Sequence, residues 1–249
     1  MPELMGGFAK GLSVIEAFGQ SHERLTISEA ARLTGLDRAT ARRCLLTLVD
    51  AGYASHDGKF FALTPRILRL GYAYLSATPL PRQLQFFLEE LSEATQESCS
   101  AAILDGTEIV YIARASQRRV MSVGLSVGSR LPAYCASMGR VLLAALPDEQ
   151  MLDILRRTDR KALTPKTLTS VEALAEEIAR VRQQGYALIN EELELGLRSI
   201  AVPILDSSGR TVSALNTGVQ AGRASCKHMI QNFLPRLLEL QKTLANILH

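Results

Sequence analysis

The stretch from Thr26 to Leu63 constrains the fold more than any other part of this 249-residue chain, because its punctuation leaves the backbone few courses to take. Thr26, with Glu29 three residues on, has the form of a capping box, in which hydroxyl and carboxylate each satisfy a free N–H at a helix start. The helix it opens, ISEAARLT, runs into Gly35, a residue able to end a helix in the left-handed conformation. Asp37 then caps a second helix, whose apolar positions Ala41, Cys44, Leu45 and Leu48 share one face until Gly52. Beyond it, YASHDGKFFAL sets Asp57-Gly58, a dipeptide favoured in two-residue hairpins, between aromatic and apolar runs. An amphipathic helix precedes all of this, with Phe8, Leu12 and Ile15 at i, i+4 and i+7. Three helices followed by a hairpin describe a winged helix-turn-helix, whose second motif helix enters the DNA major groove.

Charge supports that reading locally and not globally. The formal net charge is only +3, yet the segment from Arg24 to Arg69 carries eight cations against four carboxylates. On the second motif helix the arc opposite the apolar seam holds Ala39, Thr40, Arg42, Arg43, Leu46 and Thr47, with Arg38 at the N-terminal edge and Lys59 in the wing. These residues, Leu46 apart, are the expected DNA contacts. Leu46 either packs under the wing or meets a thymine methyl. The competing interpretation is a solvated helix face on a protein-interaction module that binds no DNA.

After Leu63 the chain has Leu68, Tyr72 and Leu75 on one helical face, a break at Thr78-Pro79-Leu80-Pro81, and a further helix to about Gln96. That stripe is either intrachain core or a surface for a second copy. From Cys99 the pattern changes to short strands, CSAAILDG and TEIVYIARA turning at Asp105-Gly106, then VMSVGL. Helices start near Ser137, Asp148 and Ser170, and the strands YALINE, RSIAVPIL and TVSALNTGV precede a terminal helix. Strands flanking a helical insert predict an α+β domain. The expected organisation is a DNA-binding domain over 1–64, a helical linker over 65–97 and a third segment over 98–249.

Chemistry-bearing motifs are sparse. GxxxxGKS and GxSxG are absent, the four histidines are scattered, and the four cysteines lack CxxC spacing, so no catalytic residue, cofactor or metal is expected. No apolar run approaches the length needed to cross a bilayer. The expected setting is the cytoplasm. Pro132 to Gly139 leads into a helix whose first-turn N–H groups favour a carboxylate, with Ser137 adding a hydroxyl. Arg114, on an expected strand, is either an exposed strand-end cation or a partner for a second carboxylate. Glu192 and Arg198 are expected to pair with each other, and Arg118-Arg119 to form a solvated hairpin tip.

Four segments, TARRCLLTL from Thr40, DGKFFALTPRILRLG from Asp57, VGSRLPAYCASMGRVLLA from Val127 and GYALINEELELGLRSIAVPILD from Gly185, together resemble IclR-type transcription regulators over nearly the whole chain. PAYCASMGRVLLAALP resembles in particular the PcaR, PcaU and PobR subgroup, which governs aromatic-acid catabolism through the β-ketoadipate pathway. The resemblance implies a double-stranded DNA operator, a linker helix used for homodimerisation or a dimer of dimers, and RNA polymerase as a further partner. It also implies that 98–249 is a GAF-like domain binding a small organic acid such as β-ketoadipate, protocatechuate or 4-hydroxybenzoate. By the same matching, Ser137, Met138 and Ser199 fall on effector-contacting positions, with Tyr134 and Asn190 beside them; routine capping or core packing is the alternative for each. Two residues depart from the family pattern, Ile189 where a small polar or acidic residue is common and Leu205 where an aromatic or histidine is. The first leaves a polar effector contact either absent or moved to Asn190.

Overall fold

A computed structural model describes residues 4–19, 22–117 and 124–248. The chain divides into two units, 1–77 and 78–249.

In the first unit α1 (Gly6–Glu16), α2 (Ile27–Thr34) and α3 (Arg38–Asp50) surround a small core of Val14, Leu25, Ala30, Ala41, Leu45 and Phe61. The capping box at Thr26 forms as expected, Gly35 takes φ +69°, and Asp37 accepts the Thr40 N–H. Strands β1 (Arg24–Leu25), β2 (Ala54–His56) and β3 (Phe61–Leu63) make an antiparallel sheet in the order β1-β3-β2. The wing turn is longer than the two residues expected. His56 pairs with Phe61, so Asp57 to Phe60 form a four-residue loop in which Asp57 Oδ1 accepts the N–H groups of Lys59 and Phe60. Leu46 is half-buried and packs on the core of this unit.

The expected linker, 65–97, contains two helices that fall in different units. Helix α4 (Leu68–Ala77) closes the first unit with no buried residue, Leu68 being 70% and Tyr72 66% exposed. Helix α5 (Pro79–Thr95) opens the second, and the expected four-residue break shrinks to Thr78 because prolines are tolerated in a helix's first turn.

The second unit is built on six antiparallel strands, β4 (Ser98–Asp105), β5 (Glu108–Ala115), β6 (Arg130–Pro132), β7 (Ala187–Asn190), β8 (Leu197–Leu205) and β9 (Thr211–Gln220), ordered β6-β5-β4-β9-β8-β7. The expected strand at VMSVGL is not where the sheet extends: 120–123 and Arg118-Arg119 lie outside the described residues, and β6 pairs with β5 instead. Side-chain alternation gives the sheet two apolar faces. One carries α5 and the C-terminal α9 (Cys226–His228) and α10 (Leu234–Ala245), joined by a π turn. The other carries α6 (Ser137–Ala144), α7 (Asp148–Arg157) and α8 (Val171–Gln184). This is the α+β architecture read from the sequence. No helix among the described residues is long and apolar enough to cross a membrane.

The four cysteines are free thiols. Cys99 and Cys135 lie one on each face of the sheet, and burial pushes both thiols up to about 11, whereas Cys44 and Cys226 are half-buried. A raised thiol pKa keeps the sulfur protonated, so at pH 8 the reactive thiolate of the first two is on the order of one part in a thousand. Iodoacetamide applied to the native chain at pH 8 should therefore modify Cys44 and Cys226 and spare Cys99 and Cys135 in peptide mapping.

Candidate DNA-binding surface and ligand cavity

The face of α3 away from its core is set by two local devices, the Asp37 cap and the apolar seam of Ala41, Leu45 and Leu48. Arg38, Ala39, Arg42, Arg43 and Thr47 are exposed, as is Lys59 in the wing. Thr40 departs from expectation. It is only 8% exposed, and its hydroxyl donates to Asp37 Oδ2 at 2.7 Å, so the N-cap carboxylate has drawn it off the solvent face. Hydrogen bonds from Thr40 hold the Asp37 carboxyl below its ordinary range, so it stays charged at neutral pH. In the wing, Arg24 pairs with Asp57, and the Arg24 guanidinium and the Lys59 ammonium each lie 4.9 Å from the Phe60 ring centre. Sequence reasoning missed this support for the wing because Arg24 and Asp57 are 33 residues apart. Among the described residues Arg38 and Arg42 make no ion pair or hydrogen bond, which leaves their charge available to an outside anion. An open apolar groove also runs along this unit, lined by Phe8, Leu12, Ile15, Cys44, Leu48 and Leu70.

In the second unit a polar stripe crosses an otherwise apolar sheet face. Register places Arg114 beside Ser100 and Ser100 beside Asn216, and in the next row Ser98 beside Gly218 and Gly218 beside Ser199. Arg114 reaches this face because of an irregularity in β5. Ala101 pairs with Ala113 but Ala102 with Tyr111, so Ile112 is an extra residue that lets both Tyr111 and Arg114 face one cavity. The guanidinium donates to Ser100 Oγ at 2.8 Å and Ser116 Oγ at 3.0 Å, and no carboxylate among the described residues neutralises it.

Across the cavity lies the first turn of α6, bringing Ser137 and Met138 against Arg114, Ser199, Ser98 and Asn216. Ser137 is 1% exposed, and among the described residues its Oγ has no hydrogen-bond partner. Buried polar atoms are rarely left unpaired, since desolvating one costs about 1–3 kcal/mol. This hydroxyl and the adjoining free N–H groups of the helix start thus present donors to the hollow. The free volume there is about 40 Å³. That is far below the few hundred Å³ of an ordinary ligand pocket, so a guest of ligand size needs the lining side chains to move.

Tyr134 and Asn190 do not join this set. The Tyr134 hydroxyl donates to the Lys161 carbonyl at 2.6 Å, and burial pushes its pKa up to about 12. Asn190 Oδ1 accepts from Arg198 at 2.7 Å, while Arg198 also donates to the Ala221 and Ala224 carbonyls. Ile189 is buried, and the neighbouring Asn190 amide oxygen is engaged by Arg198. The expected Glu192–Arg198 pair is likewise replaced. Glu192 receives two bonds from Arg140, at 2.9 and 2.5 Å, and Arg140 is 1% exposed. Arg140 Nε donates to the Tyr134 carbonyl, and Glu192 also accepts the Leu168 N–H. Ser98, Ser100 and Asn216 went unnoticed in the sequence, although the alternation of Ser98 and Ser100 places both on one strand face. Among the described residues no cluster of His, Cys, Asp and Glu has the arrangement of a metal site.

Comparison with known proteins gives consistent matches. Residues 8–58 match the IclR helix-turn-helix domain, and residues 72–246 match the bacterial transcriptional regulator IclR C-terminal family. The Pca regulon regulatory protein of Pseudomonas putida is 47% identical over 98% of this chain and 84% of its own length. A crystal structure of a putative transcriptional regulator from Rhodococcus sp. RHA1 is 45% identical, covers 98% of both chains and superposes with a TM-score of 0.82. The inducer-binding domain of a double mutant of the Acinetobacter PobR transcription factor, in complex with 3-hydroxybenzoic acid, is 37% identical, covers 68% of this chain and 98% of its own, and has a TM-score of 0.64.

The Arg140–Glu192 pair anchors the first turn of α6, and removing Glu192 leaves the buried guanidinium, among the described residues, only the Glu177 carboxylate, 3.9 Å away and without a hydrogen bond to it. Glu192→Ala should lower the unfolding free energy by about 3–5 kcal/mol, and the paired replacement Arg140→Met with Glu192→Leu should cost markedly less. Urea denaturation of both variants checks this; a single variant within about 1 kcal/mol of the wild type would remove the pair from this role.

Proposed function

Because the chain belongs to the IclR family of bacterial transcriptional regulators, we propose that it binds operator DNA through α3 and the wing and answers to a small organic acid of aromatic catabolism. The observation that carries the DNA half is the free face of α3. Arg38 and Arg42, unpaired among the described residues, and exposed Arg43 stand on one short helix whose opposite side is core, with Ala39 and Thr47 between them and Lys59 on the neighbouring wing. Arginine forks reach guanine edges and phosphates from such a helix, and cations near phosphates release counterions.

The acid reading is supported by the hollow of the second unit. An unpartnered Ser137 hydroxyl and a helix start face an Arg114 guanidinium that no carboxylate neutralises, with Ser199, Met138, Ser98 and Asn216 between them. A carboxylate supplies what these donors lack. The related PobR domain holds 3-hydroxybenzoic acid, and the candidates for this chain are β-ketoadipate, protocatechuate and 4-hydroxybenzoate. Helix α4, bare of buried residues, and the groove ending at Leu70 suit a second copy of the chain, as a homodimer or a dimer of dimers. The stretch 65–97 then serves as the link between reading head and sensor. Binding of the acid alters operator affinity through a coupling free energy of about 1–3 kcal/mol, and so the access of RNA polymerase in the cytoplasm.

Two measurements test this. Arg42→Ala should weaken binding to a duplex taken from upstream of the chain's own gene by about 1–3 kcal/mol, with unchanged thermal unfolding. Unchanged affinity, or wild-type affinity that does not fall with salt, would favour a sensor that binds no DNA. Ser137→Ala should leave stability equal or higher, since it deletes an unpaired buried hydroxyl, yet cost about 10-fold or more in affinity for whichever of the three acids raises the wild-type melting temperature. Undiminished affinity would place the acid elsewhere.

A further inference from the structure

Helix α5 is held to the sheet in two different ways. Leu84, Leu88 and Leu91 bury into the apolar face, a contact without direction that tolerates small slides. Directional bonds between α5 and β5 with its extension come, among the described residues, from two glutamines alone. Gln85 Nε2 donates to the Arg114 carbonyl at 3.3 Å. Gln117 Nε2 donates to the carbonyl and the hydroxyl of Ser92, at 3.2 and 3.0 Å. The Gln117 N–H in turn donates to Ser98 Oγ at 3.0 Å.

Both ends of this strap are cavity wall. Arg114 and Ser98 line the hollow on one side of the sheet, while Gln85, bonded to the Arg114 carbonyl, and Ser92, bonded to Gln117, belong to the helix packed against the other side. The segment Arg114 to Gln117 therefore touches the hollow through the Arg114 side chain, reaches its wall through the Gln117–Ser98 bond, and holds α5 with amide bonds. A guest of ordinary ligand size must displace part of that wall. Through apolar contacts alone such a displacement would be absorbed; through hydrogen bonds, which weaken steeply when misaligned, it is passed on. Helix α5 is also the element that follows α4 after the single residue Thr78.

We propose that Gln85 and Gln117 are positioning residues that transmit occupancy of the cavity to α5, and that without their amide bonds the acid still binds but no longer alters DNA affinity. This holds only if the cavity takes the acid as set out above, and the experiment separates the two. In the full-length chain, the affinity for the acid that stabilises it, among 4-hydroxybenzoate, protocatechuate and β-ketoadipate, is measured with and without saturating operator duplex. Linkage makes the ratio of those affinities the coupling itself, typically about 5–150-fold when two sites communicate.

The double variant Gln85→Met, Gln117→Met, close in volume but without amide donors, should bring that ratio to within about 2-fold of one while the affinity without DNA stays near the wild-type value. Gln117→Glu, which keeps the shape and cannot donate to Ser92, should lower the ratio in the same direction and serves if the double variant fails to fold. A merely structural role would move stability or affinity and leave the ratio alone. An unchanged ratio in folded variants overturns the transmission and leaves the acid site standing. A wild type that binds none of the acids overturns the acid reading and the transmission together, whereas one that binds an acid with a ratio of one overturns the transmission alone.

Discussion

The second unit depends on a charge it has put out of reach of water. Arg140 and Glu192 meet with two bonds in the interior, between the start of α6, the backbone of Tyr134 and the segment around Leu168. Such a pair adds little net stability over an apolar pair of equal volume, because desolvation offsets most of the attraction. Its contribution is position. The two bonds to Glu192, with the more distant Glu177 carboxylate at 3.9 Å, make the burial of Arg140 tolerable in this one place and hold the first turn of α6 to the loop after β7. Gly139 tightens the same joint: a Cβ there would collide with the Ala133 backbone, and only glycine lets the 3-10 turn at Ala133–Cys135 fold back on the helix. The donors facing the hollow are aimed by this arrangement.

The sheet divides structure from chemistry by alternation. Facing α5 and α10, its residues are close-packed and apolar apart from the buried Thr217 and Ser213; facing α6, a row of Arg114, Ser100 and Asn216 and a second of Ser98 and Ser199 interrupt the hydrocarbon. Without the extra residue at Ile112, simple alternation would send Arg114 to the opposite face from Tyr111. One inserted residue thus decides whether the cavity contains a cation.

Local punctuation was legible from the sequence because each signal acts within a few residues. The Thr26 capping box, the Gly35 turn, the Asp37 cap and the antiparallel strands around Asp105-Gly106 all required only neighbours. What escaped was settled over long separations or by competition for one atom. Asp57 serves two backbone donors at once and so lengthens the wing turn; Asp37 takes the Thr40 hydroxyl that helical spacing alone would leave facing solvent. Glu192 pairs with Arg140, 52 residues away, in preference to the nearby Arg198, because the buried guanidinium has no water to fall back on. Tyr134 and Asn190 adjoin the right elements but spend their polar atoms on Lys161 and Arg198.

The smallness of the hollow turns recognition into a matter of volume as well as charge. Interiors packed near crystal density resist deformation, and a void this slight yields to a benzoate-sized guest only by mechanical work on its walls. Hydrostatic pressure favours whichever state encloses less unfilled space, so compression bears on the face of the sheet that carries the hollow more than on the close-packed one.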